Sequence, residues 1–110
     1  MRYEIKQINF TDAQVDEINK SDGNVDYYKQ YLKTMCMPTV EAIKDANDLY
    51  KTVAFIDAQD LEQVFEIGNI GPEYKIERIS PMHSLSVGDI IVDEDGVHRY
   101  VDSFGFKVLA

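Results

Sequence analysis

The chain has 110 residues, 45% hydrophobic and 28% charged, which is the size and make-up of one globular domain and excludes both a multi-domain enzyme and a disordered chain. Eleven basic against twenty acidic side chains leave a net charge of −9. Binding along a phosphate backbone needs a basic face, so direct nucleic-acid binding is excluded, while basic protein surfaces are attracted. Cys36 is the one cysteine, so no intrachain disulfide can form. With no apolar run of signal-peptide or membrane-span length, the expected location is the cytoplasm, and no membrane contact is expected.

Residues Arg2 to Phe10 alternate, with Tyr3, Ile5 and Gln7 on one side and Glu4, Lys6 and Ile8 on the other, and predict an N-terminal strand. Thr11-Asp12-Ala13-Gln14 matches a capping box, and Val15 and Ile18 continue it into a short helix over Asp12 to Asn19 that Ser21 to Asn24 breaks. Val25, Tyr28, Tyr31, Leu32 and Met35 predict a second helix ending near Met37. Val40, Ile43, Ala46 and Leu49, recurring at every third position, predict a third beginning at Pro38 or Thr39, so the pair forms a hairpin. Tyr27, Tyr28 and Tyr31 read as core packing rather than as a platform for bases, because no cationic array accompanies them.

Thr52 to Ile56 is a continuous β-prone run, the expected central strand, covered on both faces. An Asp N-cap at Asp57 and a helix over Ala58 to Glu66 follow, with Leu61, Val64 and Phe65 inward, Gly68 and Asn69 as left-handed caps and Gly71-Pro72 as the stop. Asp60, Glu62 and Glu66 form a solvated outer face rather than a catalytic carboxylate pair. The remainder alternates: Tyr74 to Ile79, a strand at Asp89 to Val92, a turn at Asp93 to Gly96, its return at Val97 to Val101, and a bend at Phe104 to Phe106 before a closing strand to Leu109. The expected fold is therefore one α+β domain over residues 1–110, its central helices packed on a small curled antiparallel sheet formed largely by the C-terminal strands.

Chemical motifs are sparse. His83 and His98 stand fifteen residues apart with a remote cysteine, which writes no zinc ligand set. Asp93 to Gly96 fails the EF-hand register, and GxSxG, GxGxxG and the P-loop are absent, so no cofactor, metal or catalytic residue is assigned. The dense stretch is Ser80 to Val92, whose Gly88 suits a positive-φ turn and whose Asp89 can cap neighbouring amides, together with Tyr100 to Phe106. Met82, His83, Ser84, Ser86, Asp89, Asp102, Ser103 and Phe104 read either as turn residues or as one patch that contacts a ligand or partner.

Asp60 to Phe65 with Asn69, the His83-Ser84-Leu85-Ser86-Val87 box running into Asp89 to Val92, and Tyr100 to Phe106 resemble the YodL-like domain family over about Leu61 to Leu109. Many members of that family carry Ser where this chain has Gly88. The family occurs in small proteins of bacterial phages, plasmids and conjugative elements, and as a module of their very large proteins. It brings no reaction with it, so the resemblance implies a mobile-element setting and a binding or regulatory role. The expected function is a non-enzymatic accessory protein that binds a host protein through the patch. An acidic decoy filling the nucleic-acid groove of a defence enzyme, and an enzyme on a nucleotide or small metabolite with His83 as acid or base, stand as alternatives. The sequence carries no signature of an oligomeric state.

Overall fold

A computed structural model describes residues 1–109 and shows an α+β fold built on one six-stranded antiparallel sheet that stays open. Strands Arg2–Ile8 (β1), Tyr50–Asp57 (β2), Ile76–Arg78 (β3), Ile90–Val92 (β4), His98–Asp102 (β5) and Gly105–Val108 (β6) lie in the order β3-β2-β1-β4-β5-β6. The helices are Asp12–Lys20 (α1), Asp26–Cys36 (α2), Val40–Asp45 (α3) and Leu61–Asn69 (α4). Four of the strands are C-terminal, as expected, yet β1 takes the middle position beside β4. The expected central strand, β2, is one place from the edge; on its outer face Tyr50 packs against the cluster of Ile43, while Phe55 is half-buried beneath the Arg2 guanidinium, 4.1 Å from the ring centroid. The alternation of β1 concealed its central place. Glu4 and Lys6 on its outer side are polar, and they are accommodated by cross-strand partners such as Thr52, whose hydroxyl donates to the Glu4 carboxylate.

The two sheet faces carry separate cores. Tyr3, Ile5, Ala54, Ile56, Ile91 and Val101 pack with Val64 and Ile67 of α4, while Ile90, Val92 and Tyr100 pack on the other side with Ile43 of α3. Burial of these side chains contributes roughly 1.5–3 kcal/mol each before the entropy of ordering is charged against it.

Local chemistry accounts for the element ends. Thr11 and Gln14 form the capping box at α1, with Gln14 N donating to the Thr11 hydroxyl at 3.2 Å and Thr11 N to the Gln14 side chain at 2.8 Å. The third-residue repeat of Val40 to Leu49 does not become one long helix: α3 stops at Asp45 and a 3₁₀ turn takes over at Asn47–Leu49. A strict spacing of three drifts off one face of an α-helix by about 60° per step, whereas a 3₁₀ turn keeps it in line. The cap of α4 is Asp60, not Asp57; its carboxylate accepts from Gln63 N at 2.8 Å. Ala58 N donates to Met1 O and the Met1 amino group to Ala58 O, both at 2.9 Å, so the strand pairing continues past Asp57 and delays the helix. Gly68 is likewise no cap. It lies inside α4, where a Cβ would come within 2.5 Å of Leu85 Cδ1, and the positive-φ residue that ends this segment is Gly71 at φ 110°.

Phe10, just beyond β1, collects the tyrosines. Its ring centroid lies 5.6 Å from that of Tyr27 and 5.1 Å from that of Tyr31, so the cluster packs α2 onto the end of β1. No helix among the described residues is long and apolar enough to cross a membrane.

Candidate functional site

Between β3 and β4 the chain runs from Ile79 to Asp89 without regular structure, and its buried polar groups hold it to the sheet. The β1–β4 register ends at Lys6 opposite Ile90, so the next pair outward is Gln7 and Asp89. Both are buried, at 0% and 5% exposure. The Gln7 amide nitrogen donates to Asp89 Oδ2 and to the His83 carbonyl, each at 2.9 Å, and the Gln7 amide oxygen accepts from His83 N at 3.2 Å. Asp89 Oδ2 also accepts from Ser86 N at 3.0 Å, closing the turn Ser86 to Asp89 on itself. Gly88 N donates to Val101 O and Val101 N to Asp89 O, both at 2.8 Å, which joins the end of the loop to β5.

Among the described residues no ion pair accompanies this carboxylate. Burial pushes the Asp89 carboxyl up to about 6, against the Ser86 amide, the His83 charge and the Gln7 amide, which all favour the ionised form. Tyr50 donates its phenol to the Gly88 carbonyl at 2.5 Å, and burial raises that phenol's pKa despite its hydrogen bond with Thr34. The Gly88 turn lies directly under α2. Gly88 has φ 95°, and a Cβ there would stand 2.6 Å from the Thr34 carbonyl oxygen. Gly88→Ser is therefore expected to cost about 2 kcal/mol through strain and the clash with α2. A drop in the urea midpoint, with the smaller loss for a Gly88→Ala variant only if the hydroxyl adds to the strain, measures it.

The cavity at this network is lined by Tyr31, Tyr50, His83, Ser86 and Asp89 among others and holds about 10 Å³, room for roughly one water. This cavity is too small for a nucleotide or metabolite. His83 Nδ1 contacts the carbonyl of Ser84 at 2.8 Å rather than a serine hydroxyl. Among the described residues no three His, Cys, Asp or Glu side chains converge as a metal site.

The expected site residues do not form one patch. Asp89 is buried at the floor of the small cavity, with its Oδ2 held by Gln7 of β1 and by the Ser86 amide, and so does not stand on the surface as a contact residue. Met82 is half-buried against the core beneath α4. His83 and Ser86 edge the small cavity under α2, whereas Ser84 lines a separate depression with Ile67, Gly71 and Arg78. Asp102 and Ser103 belong to a third, with Glu62, Phe65 and Phe106. The Asp102 carboxylate accepts from Ser103 N at 2.8 Å and pins the β5–β6 turn, from which Phe104 projects 95% exposed.

Residues absent from the expected patch matter more than several in it. Gln7 announces itself only as a polar residue in the inward phase of a strand; Tyr50 and Thr34 have no signal, because only the folded chain brings them to Gly88.

The surface electrostatics are partly self-neutralised. Arg2, Arg78 and Arg99 pair with Glu77, Glu73 and Asp93 at 3.0, 2.6 and 2.8 Å. The Arg99 hydrogen bond, aided by the Val97 and Asp95 amides, holds the Asp93 carboxyl below the ordinary carboxylate range, so one member of the acidic turn Asp93 to Gly96 is structural. Comparison with protein-family models, curated proteins and solved structures finds no match to the chain.

Proposed function

We propose that this chain is a non-enzymatic accessory protein of a phage or other mobile element and that it works by binding a bacterial host protein. The mobile-element setting rests on the resemblance of Leu61 to Leu109 to the YodL-like family. The binding role is carried by one observation: Phe104 stands 95% exposed at the tip of a hairpin whose turn is pinned by Asp102. A large ring standing in water at a hairpin tip offers apolar area to a partner and makes an effective anchor. The polar network at Asp89, by contrast, is occupied with holding the loop.

Affinity capture from a bacterial host lysate, read by mass spectrometry, tests the reading. Phe104→Ala is expected to reduce recovery of the partner at least about tenfold, the usual consequence of losing a central aromatic anchor, without changing the melting temperature. Ser84→Ala and Ser86→Ala, which line other depressions, leave recovery unchanged. Equal capture by wild type and Phe104→Ala overturns the assignment of the hairpin as the binding surface.

A further inference from the structure

We infer that the outer edge of β6 receives an extended, basic segment of a partner protein as a seventh strand of the sheet. The inference rests on the binding role proposed above and specifies the chemistry of the partner.

β6 ends the sheet, paired only to β5. Leu109 N donates to His98 O at 2.8 Å, and the register continues through Tyr100 opposite Lys107 and Asp102 opposite Gly105. In an antiparallel ladder these alternate pairs exchange the hydrogen bonds, so the amides and carbonyls of the residues between them, Phe106 and Val108, point away from β5. No strand, helix or loop of the described chain covers them, and Val108 is 50% exposed. Beside this edge is an open depression of roughly 340 Å³ floored by Phe65, Val101 and Phe106 and bordered by Glu62 and Asp102. Phe65 and Phe106 meet edge to face at 6.5 Å. An added strand gains main-chain bonds at Phe106 and Val108, and alternate side chains on one face reach that apolar floor.

Charge selects the occupant. The border of the depression is acidic and the whole chain carries −9, so lysine or arginine flanking an apolar residue complements it. A second copy of this chain does not. Two-fold pairing of β6 with itself through Phe106 and Val108 sets Lys107 opposite Lys107, and like charges directly opposed across a ladder are destabilising.

The probe is a fluorescein-labelled seven-residue peptide with lysine, valine, lysine and valine at its odd positions and threonine between them, so that its charges lie on the face of the depression and not opposite Lys107, compared with the counterpart carrying glutamate in place of lysine and with the lysine peptide N-methylated at its odd positions. The full-length chain is expected to bind the lysine peptide about tenfold or more tighter than either control, and binding slows amide exchange at Phe106 and Val108. Val108→Pro, which deletes an outward amide without touching a bond to β5, abolishes the preference over the N-methylated peptide, while Val108→Ala retains it. Equal binding of the N-methylated peptide, equal binding of the glutamate peptide, or a dimer that Val108→Pro dissociates each overturns the inference. Host-protein capture separates the two proposals: retention in Val108→Pro with loss in Phe104→Ala keeps the binding role and removes strand addition.

Discussion

Gln7→Leu is expected to lower folding stability by about 4 kcal/mol, the largest effect of any single change considered. The side chain is 0% exposed and makes contacts at both ends: its nitrogen to Asp89 Oδ2 and the His83 carbonyl, its oxygen to the His83 amide. Leucine has nearly the same volume, so the cost is not a cavity. It leaves a buried carboxylate with the Ser86 amide as its remaining close donor, and it strips a main-chain amide and carbonyl of their partner. Urea unfolding at neutral pH measures the loss, and amide exchange localises it, with His83 to Asp89 exchanging faster and β2 little changed. A loss under about 1 kcal/mol would mean that water replaces all three bonds, contrary to the burial. Because the Gln7 amide favours the ionised carboxylate, the same variant raises the Asp89 pKa further.

Asp89→Asn is expected to make the protein more stable above neutrality. The folded-state pKa of about 6 lies above the ordinary value of 3.8, so the native state binds the proton more tightly than the unfolded chain does. The stability this provides is fully present below about pH 4 and is lost as pH rises through about 6, a change of about 3 kcal/mol. Asparagine still offers an oxygen to Gln7 and Ser86 but cannot ionise. Denaturant unfolding of both proteins from about pH 4 to pH 8 should therefore give curves that start close together and separate by up to about 3 kcal/mol in favour of the variant. Parallel curves would show that the carboxylate is solvated or paired with a cation in solution. The remaining acidic groups titrate in both proteins and cancel in the difference.

These two side chains also mark where reading the chain alone stops. The strand β1, the capping box of Thr11 and Gln14, the hairpin turn at Asp93 to Gly96 and the break at Gly71-Pro72 are legible because each depends on residues within a few positions of one another: alternation, a hydroxyl three residues before an amide side chain, a glycine where φ is positive. Asp60 replaces Asp57 as the cap of α4 because the N-terminal residue, fifty-seven positions from Ala58, holds that segment extended. Gly68 looked like a helix terminus and is a packing contact with Leu85, seventeen positions on.

The candidate site divides in the same way. Phe104 and Asp102 were legible as residues of a tight turn, and the turn presents them as a turn does. His83, Ser84, Ser86 and Asp89 were grouped by nearness along the chain, yet successive residues of an irregular segment point in different directions: His83, Ser86 and Asp89 line one small cavity, and Ser84 lines a separate depression. What the amino-acid sequence determined unaided is the class of the fold, most element positions and the acidic character, since those follow from local periodicity and composition. The order of strands, the burial of Asp89 against Gln7 and the free edge at β6 were decided by tertiary packing, because each depends on which distant segments share the limited space at the centre of the sheet.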